Sequence, residues 1–188
     1  MTLVECQRAV VVSDVHLGYK RSDDDAFLRF IETYPKWDET EQLILLGDTF
    51  DFWRRQNAKV FTENKKIIEC IRSIGPKIIV VRGNHDYYLQ DFADRFHKRN
   101  EPQERPLEIE RTYNIKSGER KIFLMHGYEL EVFSNAYLES VGLEAYEDFS
   151  KSMCMSDDKT GAIAGGFGTS FQAYMLAREN LRMNSGGC

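Results

Sequence analysis

Four short clusters in this chain carry side chains able to hold a metal ion: Asp14-Val15-His16, Gly47-Asp48-Thr49-Phe50-Asp51, Gly83-Asn84-His85-Asp86 and, later, His126-Gly127. Taken singly, each has a plainer use. Asp14 or Asp48 can cap a helix or a turn, Asn84 can favour the turn after Gly83, and a lone strand-end histidine is more often a satisfied, partly buried side chain than a ligand. Taken together they resist that reading. Three of the four histidines stand beside a carboxylate, an amide or a glycine. The glycines have their own reason, because backbone that comes close to an ion or a phosphate has no room for a Cβ.

The elements that must position these clusters are legible as alternating strands and helices. Residues 8–13 form a β-branched run that reads as a buried strand, residues 43–46 a second closed by Gly47, and residues 77–81 a third. Between them, 23–34 carries Phe27, Phe30 and Ile31 at helical spacing, with Ser22 or Asp23 as cap and Pro35 as stop. Residues 63–74 carry Ile67, Ile68, Ile71 and Ile74, with Gly75-Pro76 as stop. Strand, helix, strand, helix, strand predicts a parallel sheet of βαβ units. Each strand runs into a ligand cluster, and open α/β sheets bind ligands outside the carboxyl ends of their strands.

The rest of the chain differs. Residues 91–97 read as a short helix and 100–106 as a polar loop. Residues 111–115 and 121–125 read as a hairpin around Ser117-Gly118-Glu119, its second strand delivering His126. Helical patterns follow over about 130–141, 144–153 and 170–183. Four glycines in 161–168 lack the ending of a phosphate-cradling loop and predict a connector.

With 188 residues, 42% apolar and 29% charged, the composition is globular and excludes collagen-like, coiled-coil and disordered classes. One domain spanning 1–188 is expected, with a motif-bearing core over about 8–130 and a helix-rich part over about 130–188. No apolar run of about 18 residues is present, so no transmembrane helix is expected. The first residues show no basic segment followed by an apolar one, which predicts a cytoplasmic protein with Cys6, Cys70, Cys154 and Cys188 as free thiols. Twenty-five basic against thirty acidic residues give a net charge of −5. That disfavours nucleic acid as a partner.

Asp-x-His, Gly-Asp-x-x-Asp, Gly-Asn-His-Asp and a later His-Gly, in this order, resemble the calcineurin-like metallophosphoesterases. Within that superfamily, Gly47-Asp-Thr-Phe-Asp-Phe-Trp53 and Leu124-Met-His-Gly-Tyr-Glu129 look most like the UDP-2,3-diacylglucosamine diphosphatase-like branch. Ser13-Asp-Val-His-Leu-Gly-Tyr-Lys20 also resembles the opening of the double-strand-break repair nucleases. The resemblance implies an α-β-β-α sandwich and two divalent metal ions bridged by Asp48. One would be held by Asp14, His16 and Asp48, the other by Asp48, Asn84 and His126. Nitrogen and oxygen donors without thiolate suit manganese, with iron or zinc as alternatives.

The implied activity is hydrolysis of a phosphoester (mono- or diester) or pyrophosphate bond by a metal-bridging hydroxide, and the implied partner is a phosphorylated small-molecule or nucleotide-type substrate. A manganese-dependent nuclease is the alternative. The resemblance makes His85 a non-ligand that protonates the leaving oxygen, and Asp51 the carboxylate that orients it. Asp86 is either a supporting partner or a helix cap. Lys20, Arg54, Arg55 and Arg82, each near a cluster, are the candidate substrate contacts, and Phe52, Trp53, Tyr87 and Tyr88 could stack on a base or sugar. One departure stands out: the family closes its site with Gly-His-x-His, and no histidine follows His126. The expectation is a truncated form of a longer protein. A variant that completes the site in another way, and a non-catalytic metal-binding relative, are the alternatives.

Overall fold

The computed structural model describes residues 3–91, 108–135, 138–139 and 142–155. The connector at 161–168, the helix at 170–183, His97, Cys188 and all but the first residue of the helix at 91–97 lie outside them. The described elements are β1 (Val4–Glu5), β2 (Ala9–Val12), α1 (Asp24–Thr33), a 3-10 turn (Trp37–Glu39), β3 (Gln42–Leu46), α2 (Asn57–Glu63), α3 (Lys65–Ser73), β4 (Lys77–Val81), β5 (Glu108–Glu110), β6 (Thr112–Ser117), β7 (Arg120–Met125), α4 (Tyr128–Ser134) and α5 (Leu143–Met155).

The expected parallel sheet is present, in the order β2-β3-β4-β5 with every pair parallel. Its register aligns Val12 with Leu45 and Leu45 with Val80, so the three ligand clusters leave the sheet along one edge. Side chains of β3 and β4 alternate between two cores, as a strand covered on both faces must. Leu43, Leu45 and Val80 face Phe27 and Ile31 of α1 and Ile67 and Ile71 of α3. Ile44, Ile79 and Val81 face Tyr113 and Ile115 of a second sheet, ordered β1-β6-β7. Helices, parallel sheet and mixed sheet are thus stacked as three layers. The fold is a mixed α/β arrangement, in keeping with the sandwich that the resemblance implies.

Local rules explain the supports. Asp23 caps α1 by accepting from the Ala26 amide at 2.9 Å, and Asp24 and Asp25 add negative charge in its first turn. Tyr34 turns extended, ψ 119°, before Pro35. The β6–β7 hairpin closes on Gly118-Glu119, with Gly118 at φ +59°.

Several expectations need adjustment. The helix expected over 63–74 is α3, and an unexpected helix, α2, precedes it, the two parted at Asn64, whose side-chain amide donates to the Val60 carbonyl at 3.0 Å. β2 is not buried throughout: it is an edge strand and Val11 is 44% exposed. The helix expected over 130–141 starts earlier, at Tyr128, and its first segment stops at Ser134.

Candidate metal centre

The four clusters meet. Backbone hydrogen bonds continue past the strand ends and stitch the loops together. The His16 amide donates to the Asp48 carbonyl at 2.8 Å, Leu17 to Thr49 at 2.9 Å, and Phe52 to His85 at 3.1 Å. The His85 amide donates to Asp48 Oδ1 at 2.9 Å. Asp86 is fully buried and joins the second and third loops, accepting from the Thr49 amide at 2.8 Å and the Gly83 amide at 2.7 Å. It is therefore a tie between ligand loops rather than a cap.

Among the described residues, three non-glycines have φ in the left-handed region: Asp14 at +58°, His16 at +54° and Asp48 at +51°. All three are expected metal ligands. Such conformations are held only where the surroundings over-determine them, and they gather at functional sites. The glycines are equally constrained. A Cβ on Gly83 would stand 2.1 Å from Asp48 Oδ1, and one on Gly47 would stand 2.2 Å from His126 Cδ2.

The donors fall into two groups that share Asp48. His16, Asp48 and His85 form one, and Asp14, Asp48 and His126 the other, with the ligand atoms of each group within 4.8 Å of one another. His126 Nε2 lies 3.5 Å from Asp14 Oδ1 and 3.7 Å from Asp48 Oδ2, while His16 Nε2 lies 3.7 Å from the same Asp48 oxygen. Donors bonded at about 2.0–2.2 Å to one ion stand about 3–4 Å apart, so this spacing suits a cation. Nδ1 of His16 and of His126 are buried without a hydrogen bond. The donor set therefore fits divalent ions. Its grouping places Asp14 with His126 and His16 with His85. Asn84 is buried beside them, its carbonyl accepting from Trp53 Nε1 at 2.7 Å.

Asp51 lies beneath the first group with no solvent exposure. Its Oδ1 is 3.3 Å from His85 Nδ1, and its Oδ2 is 3.6 Å from His16 Nδ1 and 2.5 Å from Arg54 Nη1. Desolvation works to raise its pKa, but His16, His85 and Arg54 outweigh burial and hold the carboxyl far below the usual carboxylate range. Burial likewise opposes charge on His16, and the Asp51 and Asp48 carboxylates overcome it, raising its pKa above the ordinary value. Burial, with the charge of Asp48, pushes the Asp86 carboxyl up to about 7.

Of the other expected residues, Arg54 also stacks over Tyr19, 4.6 Å from the ring centre. Arg55 pairs with Glu63 at 2.5 Å. Lys20, Arg54 and Arg55 line one open cavity of about 650 Å³ beside the centre, together with Tyr19, Asp25 and Glu63. Arg82 points to other uses, stacking over Tyr87 at 4.5 Å and donating to Gln90 at 3.3 Å. Phe52 is core. Trp53 lies flat over His85, ring centres 4.2 Å apart and planes 17° apart. Tyr87 gives its hydroxyl to Glu147 at 3.2 Å.

The sequence left two contacts unread. Cys154 of α5 is buried with its thiol 3.3 Å from the His85 carbonyl, and Phe149 meets Trp53 edge-on at 5.7 Å. The helix-rich part thus backs the third loop. No local signal marks either residue.

Comparison with known proteins agrees with this geometry. The sequence profile of the family described as calcineurin-like phosphoesterase matches residues 7–167. The chain is 28% identical over 130 residues to a UDP-2,3-diacylglucosamine hydrolase of Haemophilus influenzae, covering 67% of this chain and 51% of that protein. The protein of that name from Histophilus somni is 26% identical over 137 residues, 70% of this chain and 53% of its own length. The one from Neisseria meningitidis is 33% identical over 90 residues, 45% and 37% respectively. The chain spans about half the length of the first two.

Proposed function

As a member of the calcineurin-like phosphoesterase family, this chain is, we propose, a two-metal hydrolase that cleaves a phosphoanhydride or phosphoester bond in a nucleotide-linked compound. The observation that carries the reading is the pair of three-donor groups sharing Asp48, built on three strained ligand positions. Asp14, His16, Asp48, Asn84 and His126 would hold the ions, manganese being the first choice for these donors and iron or zinc the others. Bound ions of this kind supply a low-pKa water and charge neutralisation for the phosphoryl group.

The chain's own residues do the rest. The stitched loops fix the donors before substrate arrives, so little reorganisation is left to the reaction. Lys20, Arg54 and Arg55 place cations along a cavity that the carboxylates of Asp25 and Glu63 also line. Guanidinium and ammonium groups suit phosphate oxygens, and carboxylates suit sugar hydroxyls. In the cleavage, a water oxygen would bond to phosphorus and release its proton to solvent, while the bridging P–O bond breaks and the leaving oxygen keeps the electron pair. The names of the relatives suggest a UDP-sugar carrying acyl chains. The exposed side chains of Leu130, Phe133, Phe149 and Met155 on α4 and α5 suit the apolar part of such a molecule.

Manganese-dependent hydrolysis of bis-p-nitrophenyl phosphate and of a UDP-sugar, compared between the wild type and Asp48→Ala, tests the assignment. Activity is expected to fall at least about 1,000-fold, a loss of roughly 4 kcal/mol of transition-state stabilisation. Equal rates would overturn it.

A further inference from the structure

We infer that Arg54 is a positioning residue of the site: it holds Asp51 and the His85 ring in place and acts through them, not by gripping the substrate. The inference rests on the hydrolase reading and deepens it, with His85 as a non-ligand beside the ions.

Asp51 has no solvent exposure, and Arg54 reaches both of its oxygens. The main-chain amide of Arg54 donates to Oδ1 at 3.1 Å, and Nη1 of its guanidinium donates to Oδ2 at 2.5 Å. The same Nη1 stands 3.2 Å from His85 Nδ1, which is itself 3.3 Å from Asp51 Oδ1. One edge of the imidazole therefore meets a carboxylate and a guanidinium that are already paired with each other. Turning the ring over would set a carbon against both, so Nδ1 stays inside and Nε2 is the nitrogen left for the reaction. Trp53 lies flat over the ring, centres 4.2 Å apart. Stacking sets the plane of the imidazole but not which edge faces inward, and that choice falls to Asp51 and Arg54.

Arg54 is held in turn from the first ligand loop. Tyr19, three residues past His16, places its ring against the guanidinium, with Cζ 4.6 Å from the ring centre. A lysine could not replace it, because an ammonium is a point charge with no plane to stack. Arg54 also lines the open cavity with Lys20 and Arg55, where a substrate phosphate is the competing use. Its pairing with Asp51 decides between the two. Moving the guanidinium toward a phosphate would leave the Asp51 charge buried and unpaired.

Steady-state kinetics on the full chain with manganese separates the roles, using whichever of bis-p-nitrophenyl phosphate and a UDP-sugar the wild type hydrolyses faster. In Arg54→Ala and Arg54→Lys, both shown to be folded by circular dichroism, kcat should fall about 100-fold with KM little changed. Free guanidinium ion should return part of the kcat lost in Arg54→Ala, which a damaged fold would not allow. Arg54→Ala combined with Asp51→Asn should cost no more than the worse of the two alone, since one acts through the other. A raised KM at unchanged kcat, or losses that add, would overturn the proposal.

A readout without turnover keeps this inference apart from the hydrolase reading. In the metal-free chain with isotope-labelled histidine rings, nuclear magnetic relaxation should find the His85 ring ordered in the wild type and mobile in Arg54→Ala, with His126 unchanged. The His85 signals are assigned by their disappearance in His85→Gln. A His85 ring as ordered without Arg54 as with it would sink the idea. Should the ring loosen while the wild type hydrolyses no phosphoester or UDP-sugar, the positioning role stands and the hydrolase reading falls.

Discussion

Replacing Asp86 with alanine isolates the tie between the two loops that carry Asp48 and Asn84. Both its oxygens accept from main-chain amides, Thr49 at 2.8 Å and Gly83 at 2.7 Å, and Thr49 and Asp86 are both without solvent exposure. Alanine leaves two buried N–H groups with no acceptor. At about 1–3 kcal/mol for each buried donor left unpaired, the loss is about 2–6 kcal/mol. That is a large fraction of the roughly 5–15 kcal/mol by which domains are stable. Urea unfolding of the metal-free chain measures it.

The pH dependence gives the prediction a sign. Asp86 is pushed up to about 7 in the folded chain, by burial first and the charge of Asp48 second, from an ordinary value of 3.8. Between those values the folded chain keeps a proton that the unfolded chain releases, so stability from this group falls as pH rises through the window. The cost of Asp86→Ala should therefore be larger at pH 5 than at pH 8. A cost under about 0.5 kcal/mol, the range of ordinary surface changes, would refute the tie. A cost that grows from pH 5 to pH 8 would refute the assignment of the raised carboxyl.

Three other perturbations follow from the same contacts. Gly83→Ala sets a Cβ against the Asp48 carboxylate and main chain, at 2.1 and 2.5 Å, and should cost about 1–3 kcal/mol in urea unfolding together with weaker metal binding by calorimetry. Trp53→Phe keeps a ring over His85 but loses the bond to the Asn84 carbonyl, an expected cost of about 1 kcal/mol, whereas Trp53→Ala should cost about 3–5 kcal/mol. Cys154 has no exposure and its thiol pKa is raised well above the ordinary value by burial, so peptide mass spectrometry after alkylation at pH 8 should find it unmodified in the folded chain, with half-buried Cys70 the first of the three described cysteines to react.

What could be read in the sequence was what local rules control. β3 and β4 are apolar runs between turn signals, and α1 and α3 show a buried pair four residues apart in Phe27/Ile31 and Ile67/Ile71. α2 escaped because Val60 is its one buried residue, which leaves no period to detect. β1 and β5 escaped because neither is apolar along its length, and each exists only through a partner far away in the chain, β6 for one and β4 for the other. The site divides in the same way. Donor types and their strand-end positions are local and legible. The left-handed backbone at Asp14, His16 and Asp48 is imposed by hydrogen bonds between loops, and the sharing of Asp51 depends on a histidine 34 residues away.

The two donor groups are unequal, and the inequality bears on which one meets the substrate. Asp48 is shared and nearly buried, its side chain 5% exposed, whereas the side chain of Asp14 is 61% exposed. The group of His16 and His85 is closed below by Asp51 and on one side by Trp53. The group of Asp14 and His126 opens where both sheets end in an edge strand, β2 and β7, and where Val11 and Ile122 stay exposed. By register these two share the inner faces of Ala9 and of Ile115, so the gap between the sheets is itself open there. Any ions bound here would sit in unlike surroundings: the side of Asp14, with its exposed carboxylate, would leave more room for exchangeable oxygen ligands than the side closed by Asp51 and Trp53.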